Sequence, residues 1–129
     1  FEARFGDNYL HGGPGNAKLI GGVGEDHFVS GDGQNDIISG PGENTIEITG
    51  GTNQVSVTHR AQTIIIKRTG FFQQIHGFVA GQIYLTDWVG LGPISTRAKD
   101  GNVIVSAGTE RAIFFDAELA DIRGAIMID

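Results

Sequence analysis

The sequence predicts an all-β chain wound as a parallel β-solenoid, and three observations carry that expectation. Residues 3 to 56 divide without a gap into six nine-residue units: ARFGDNYLH, GGPGNAKLI, GGVGEDHFV, SGDGQNDII, SGPGENTIE and ITGGTNQVS. The fourth place of every unit is glycine: Gly6, Gly15, Gly24, Gly33, Gly42 and Gly51. The eighth is always a large apolar residue: Leu10, Leu19, Phe28, Ile37, Ile46 and Val55. A glycine turn followed by a short strand with one inward side chain cannot bury that side chain alone, but stacked neighbouring coils can. Places seven, eight and nine alternate out, in and out, so the six apolar residues are expected to form one interior column.

Residues 21 to 29, GGVGEDHFV, fit the G-G-x-G-x-D-x-U-x pattern in full, and the other five units fit it in part. On those residues the chain resembles the RTX, or haemolysin-type calcium-binding, repeat family. The resemblance implies a right-handed parallel β-roll in which alternate nonapeptides form opposite sides of a flattened coil, with calcium between the turns.

Place six bears on the calcium. The family has aspartate there, a carboxylate that joins turn carbonyls in an all-oxygen site for a hard cation. Here the place holds Asn8, Ala17, Asp26, Asn35, Asn44 and Asn53. If alternate units stack, Asp26 lies between Asn8 and Asn44, while Ala17, Asn35 and Asn53 share the other side. Two readings stay open. One is a weak Ca2+ site built from Asp26, Asn8 and Asn44 with the turn carbonyls of Gly22 and Gly24. The other is a ladder of stacked amides that hydrogen-bond along the axis and hold the turns without metal. Glu25, Asp32, Asp36, Glu43 and Glu47 stand at other places and read as solvated acids.

Place nine should face solvent, yet it reads His11, Ile20, Val29, Ile38, Glu47 and Ser56. Ile20 and Ile38 are expected to stack on one sheet, with Val29 alone on the other. Such an outward row is covered by the chain's own second half or meets a protein partner.

From residue 57 the rhythm fades. Val57 and Thr63 to Ile66 continue as strand, but Arg60 replaces the fourth-place glycine, so the roll is expected to span residues 1–66 and end in wider turns. Gly70 punctuates, and Phe71, Phe72, Ile75 and Phe78 supply a plug. A strand from Gln82 to Trp88 places Ile83, Leu85 and Trp88 on one face, and residues 90 to 93 form a loop. Asp100-Gly101 signals a hairpin between Ile94 to Lys99 and Asn102 to Ser106. Another strand runs from Arg111 to Phe115. Asp116 is expected to cap a helix through Ile122, and Ala125 to Ile128 closes as an apolar strand. Lys67-Arg68 and the pair Arg97 and Lys99 read as strand-edge charges that discourage edge pairing.

The order of these pieces is also similar to segments that follow RTX repeats. Ile75 to Phe78, the Ile83-Tyr84-Leu85 strand, the Asp100-Gly101 hairpin, Ala112 to Phe115, Ala117 to Leu119 and the terminal Ile126-Met127-Ile128 carry that similarity. It implies that residues 67–129 form a mainly β cap with one short helix, continuous with the roll. It also implies an uncleaved type I secretion signal at the carboxyl end, with Asp129 after the apolar triplet, and location outside or on the surface of a Gram-negative bacterium.

Composition removes several classes. With 129 residues and no cysteine the chain suits one domain without disulfides, thiolate metal sites or thiol catalysis. Its apolar runs are too short to span a membrane, and no charged-then-apolar leader is read. A start at Phe1 reads as a piece of something longer. The net charge of −6 is concentrated in residues 1 to 56, which hold eight acids against Arg4 and Lys18 alone. Such a surface repels nucleic-acid phosphates and attracts cations. His11, His27, His59 and His76 show no zinc spacing, and neither a nucleophile elbow nor a phosphate loop occurs. Trp88 with Phe71, Phe72 and Phe78 either lines a sugar site or packs under the cap.

No catalytic residue is therefore assigned. The expected function is a non-catalytic RTX-like module of a secreted bacterial protein that supports folding and export, with an enzyme or toxin domain upstream. The alternative is a self-standing structural or interaction subunit of a surface layer, adhesin or larger assembly, docking through Ile20 and Ile38 or the acidic repeat face. A gene running upstream of Phe1 into a catalytic domain favours the first; one that starts close to it favours the second.

Overall fold

A computed structural model of the chain describes residues 5–57, 62–67, 72–78, 81–86, 88 and 93–128. It is a parallel β-solenoid of about four turns with one short helix near its carboxyl end. The six nonapeptides supply β1 (Tyr9–His11), β2 (Ala17–Ile20), β3 (His27–Val29), β4 (Gln34–Ile38), β5 (Thr45–Ile48) and β6 (Thr52–Ser56). Winding continues through β7 (Gln62–Ile66), β8 (Phe72–His76) and β9 (Gly81–Leu85). The cap adds β10 (Ser95–Lys99), β11 (Asn102–Ala107), β12 (Glu110–Phe115), α1 (Leu119–Ala125) and β13 (Ile126–Ile128).

Odd and even units form separate sheets, as the period of nine requires. The first sheet runs β1-β3-β5-β7-β9-β13, parallel throughout. The second runs β10-β11-β12-β8-β6-β4-β2, parallel from β2 to β12 and antiparallel beyond. Registers keep equivalent places together: Leu10 on Phe28, Phe28 on Ile46, Leu19 on Ile37 and Ile37 on Val55. Each turn between β1 and β6 passes through a fourth-place glycine. At Gly51 the backbone is left-handed (φ 68°), and a Cβ would land on the carbonyl oxygen of Gly33 one coil away. Only hydrogen fits where backbone stacks directly on backbone.

All six predicted interior residues are fully buried. The column runs on through Ile64 and Ile83 in the first sheet and Ile75 and Phe114 in the second. A second interior column widens along the axis. It holds Gly12 and Ser30 in the early coils, where the ring of Phe28 already fills the space above Gly21, and then Ile48, Ile66 and Leu85. Each such side chain taken from water is worth about 1.5–3 kcal/mol, so apolar stabilisation per coil grows toward the cap.

The cap closes the two sheets edge to edge: β12 lies beside β8 in the place of the next coil, and β13 beside β9. Asp100 (φ 54°) and Gly101 (φ 81°) turn the expected hairpin. Ile83, Leu85 and Trp88 share the interior as expected, and Phe78 meets Phe114 edge-on at 5.7 Å between centroids. Two details differ. Phe72 faces outward, because it shares the strand parity of Gln74 and not of Ile75. Asp116 takes no cap role: its backbone is left-handed (φ 52°) and its N–H donates to Asn102 Oδ1 at 2.9 Å, turning the chain off β12. The helix starts three residues later with Glu118 at its N-cap and buries Ile122 and Ala125. The sequence readings on Arg4, His59, Arg60, Arg68, Gly70, Phe71, Asp129 and residues 90 to 92 lie outside the described residues.

Gly51→Ala and Gly15→Ala separate stacked turns from merely flexible ones. Gly51→Ala should cost on the order of 1–3 kcal/mol in urea unfolding. Gly15, where an added Cβ meets nothing within 4 Å, should tolerate alanine within about 0.5 kcal/mol. Equal costs would contradict the stacking.

Candidate functional site

Place six is where each coil is tied to the next. The backbone N–H of a place-six residue donates to the place-six side-chain oxygen one coil further on: Asn8 to Asp26 Oδ1 at 2.9 Å, Asp26 to Asn44 Oδ1 at 2.7 Å, and Asn44 to Gln62 Oε1 at 3.2 Å. On the other side Ala17 donates to Asn35 Oδ1 at 3.0 Å and Asn53 to Gln73 Oε1 at 3.0 Å. Asn35 joins Asn53, and Asn53 joins Gln73, directly from Nδ2 at 2.9 Å in each case. Every residue from Asp26 to Gln73 in these two columns is at most 4% exposed.

The amide nitrogens fill the turns. Asn44 Nδ2 donates to the carbonyls of Ser39, Gly40 and Gly42 at 3.2–3.4 Å, Asn53 Nδ2 to Gly50 at 2.9 Å, and Asn8 Nδ2 to Phe5 and Gly6 at 2.9 Å. Gln62 and Gln73 reach back with their longer side chains to the carbonyls of Gly42 (3.0 Å) and Gly51 (2.7 Å). The orientation is forced: with oxygen on a backbone N–H and nitrogen on carbonyls every contact joins donor to acceptor, and a flipped amide would oppose like to like. These turn carbonyls, which a cation would otherwise have to satisfy, thus face N–H groups.

Asp26 is the exception. Its Oδ1 accepts the Asn8 N–H and, at 3.1 Å, the Asn8 amide. Its Oδ2 is buried and has no hydrogen-bond partner among the described residues. That oxygen lies 2.9 Å from where a Cβ on Gly21 would stand, and the Ser39 carbonyl borders the same space. A carboxylate cannot donate to carbonyls, so this position lacks the N–H that completes the Asn44 turn. Asp26 Oδ2 is thus an acceptor that a hard cation could use. The Ser39 carbonyl and the Phe28 ring that border it leave the rest of such a shell unsupplied, the carbonyl already taking the Asn44 amide at 3.2 Å. Asn8 and Asn44 do lie on either side of Asp26, but their nitrogens are committed to carbonyls and Asn44 Oδ1 to the Asp26 N–H. The carbonyls of Gly22 and Gly24 face Gly40 and Gly42 of the next coil. Among the described residues no three histidine or acidic side chains converge.

Outside the first sheet, Glu47 gathers two partners: Lys67 Nζ at 3.0 Å and His27 Nε2 at 3.3 Å, with Tyr9 packed on His27 at 5.1 Å. The hydrogen bond from Lys67 holds the Glu47 carboxyl below its ordinary range; His27 adds to this and partial burial opposes it. Sequence reading took Lys67 for a strand-edge charge, whereas the pairing of β5 with β7 brings it beside Glu47. Ile20 and Ile38 sit half-buried on the outer face, while Val29 is nearly buried at 6% exposure. The aromatic residues do not gather into one surface: Trp88 and Phe78 are interior and Phe72 points outward.

Neither protein-family models nor curated proteins match the sequence.

Asp26→Asn should complete the ladder. In chelator it should raise unfolding stability by about 1–3 kcal/mol, whereas Asn44→Ala should lower it by a similar amount; a destabilised Asp26→Asn protein would contradict the ladder. Glu47, with its folded pKa depressed, contributes stability that is present above the unfolded value and lost as pH falls through the folded one. Lys67→Met should therefore cost on the order of 0.5 kcal/mol at pH 7. The cost should vanish well below the ordinary glutamate value of about 4.3 in a pH series of denaturation curves.

Proposed function

We propose that this chain is a non-catalytic, RTX-like β-solenoid module of a secreted bacterial protein, supporting folding and export with at most weak calcium binding. The observation that carries the reading is the buried amide ladder. It satisfies the turn carbonyls from within the chain at Asn8, Asn44 and Asn53, and among the described residues leaves an acceptor-only position at Asp26, whose Oδ2 is the oxygen an ion would use. When bound, calcium would supply the missing charge neutralisation at that coil. A module of this kind is a self-sufficient scaffold, and its cap joins both sheets in one hydrogen-bonded piece.

A second reading, a self-standing structural or interaction subunit, draws on apolar side chains left outside. Ile20 and Ile38 stack on the outer face of the second sheet, and Phe5 (80% exposed) and Val23 (59%) occupy the same turn position in alternate units.

Melting in calcium and in chelator tests the cation. A site of roughly millimolar affinity in 10 mM calcium stabilises by about 1.4 kcal/mol, a rise of a few degrees that Asp26→Ala should abolish. A protein unfolded in chelator would sink the claim that the ladder suffices. For export, a passenger fused ahead of residues 1–129 in a Gram-negative cell with a type I exporter should reach the medium, and deletion of residues 116–129 should retain it. Combined Phe5→Ser, Val23→Ser and Ile38→Thr should leave export unchanged; if the passenger never leaves the cell and these changes alter sedimentation, the second reading stands instead.

A further inference from the structure

The outer face of the cap differs in chemistry from the repeat half. Strands β11 and β12 turn Val103, Val105, Ala112 and Phe114 into the core, and β10 pairs with β11 at the sheet edge. On the opposite face the register sets Ser95 beside Ser106 and Ser106 beside Arg111. One pleat along, Arg97 lies beside Ile104 and Ile104 beside Ile113. Ser95, Arg97, Ile104, Ser106 and Arg111 enclose a hollow of about 230 Å³.

Every polar side chain lining this hollow can donate a hydrogen bond, and the two guanidinium groups can only donate. Lys67 and His27 pair with Glu47 on the first sheet, and among the described residues neither Arg97 nor Arg111 has a carboxylate partner. Two like charges thus share one small concavity over the half-buried side chain of Ile104, in a chain whose net charge is −6. Their mutual repulsion is relieved by an acceptor that both forks can reach.

We propose that this hollow is a binding site for an oxyanion group (phosphate, sulfate or carboxylate), gripped by Arg97 and Arg111 and finished by the hydroxyls of Ser95 and Ser106. The site is independent of the ladder and of any cation at Asp26.

The full chain, labelled for backbone amide NMR, is titrated with inorganic phosphate and separately with acetate, sodium chloride holding the ionic strength constant. Saturable shifts at Ser95, Ile104 and Ser106 are expected. Arg97→Gln and Arg111→Gln should each weaken the binding roughly tenfold, Arg97→Lys by less, and Lys18→Gln at the far end of the sheet not at all. Saturation by phosphate alone assigns a tetrahedral ligand, and saturation by acetate as well a carboxylate. Shifts that never saturate, or that both glutamine variants retain, would reduce the effect to ionic atmosphere and overturn the site. Shifts that follow protein concentration without added anion, and vanish in Glu25→Gln with Glu43→Gln, would also overturn it by assigning the patch to the acidic face of a second copy.

Discussion

One hydrogen bond, repeated at five of the coils' place-six positions, governs this fold: a backbone N–H at the start of a short strand donated to a buried side-chain oxygen one coil on. Strands of three to five residues carry few ladder bonds of their own, and their turns bring backbone against backbone at the stacked glycines. The place-six side chain resolves both problems. Its oxygen serves the strand start, and its nitrogen serves carbonyls of the turn, which in a dry interior would each cost a desolvated group. An amide carries both a donor and an acceptor, and so does this with no net charge. A carboxylate has acceptors only and needs a donor or a cation beside it.

That difference sets the electrostatics of the repeat half. Stacked carboxylates at place six would sit one coil apart, about 4.8 Å in a sheet, and would repel unless cations lay between them. With asparagine and glutamine at most of these positions, the buried columns are nearly neutral and the acids lie at exposed places. Asp7, Glu25 and Glu43 form such a row, in which Asp7 Oδ1 accepts the Glu25 N–H at 2.8 Å. Within the described part of these columns Asp26 is the buried carboxylate among amides, which concentrates their response to cations in one coil.

The parts of this arrangement that repeat were legible in the sequence. The glycine at place four, the interior column from Leu10 to Val55 and the pairing of alternate units all follow from one period, and so does the flanking of Asp26 by Asn8 and Asn44. Gln62 is also visible in retrospect, eighteen residues after Asn44 and one methylene longer. Gln73 is not, because the coil containing it is two residues longer than its predecessor and carries the amide off the rhythm. Lys67 is on the rhythm, two residues past the Ile65 that pairs with Glu47, and was read as a strand-edge charge instead of a partner. Asp116 misled for a different reason: aspartate suits both a helix N-cap and a left-handed turn, and the Asn102 side chain opposite decides between them. The division of labour within each amide was beyond the sequence, since it depends on which face of the side chain meets an N–H.

The two ends of the solenoid rest on different physics. Near the amino end the second interior column is glycine and serine, so polar contacts through Asp26, Asn35 and Asn44 carry much of the stacking. Toward the carboxyl end Ile48, Ile66 and Leu85 fill that column, and the glutamines take over the ladder with side chains long enough to cross the wider coil. In a stack where each coil touches only its neighbours, stability is close to a sum of local terms. The coils beside the cap therefore hold the larger apolar share, and β12 and β13 pass that support directly into both sheets by parallel pairing. A cap that merely covered the last coil would shield its apolar residues; one that supplies the next strand to each sheet also satisfies the backbone edge, which side-chain burial alone leaves open.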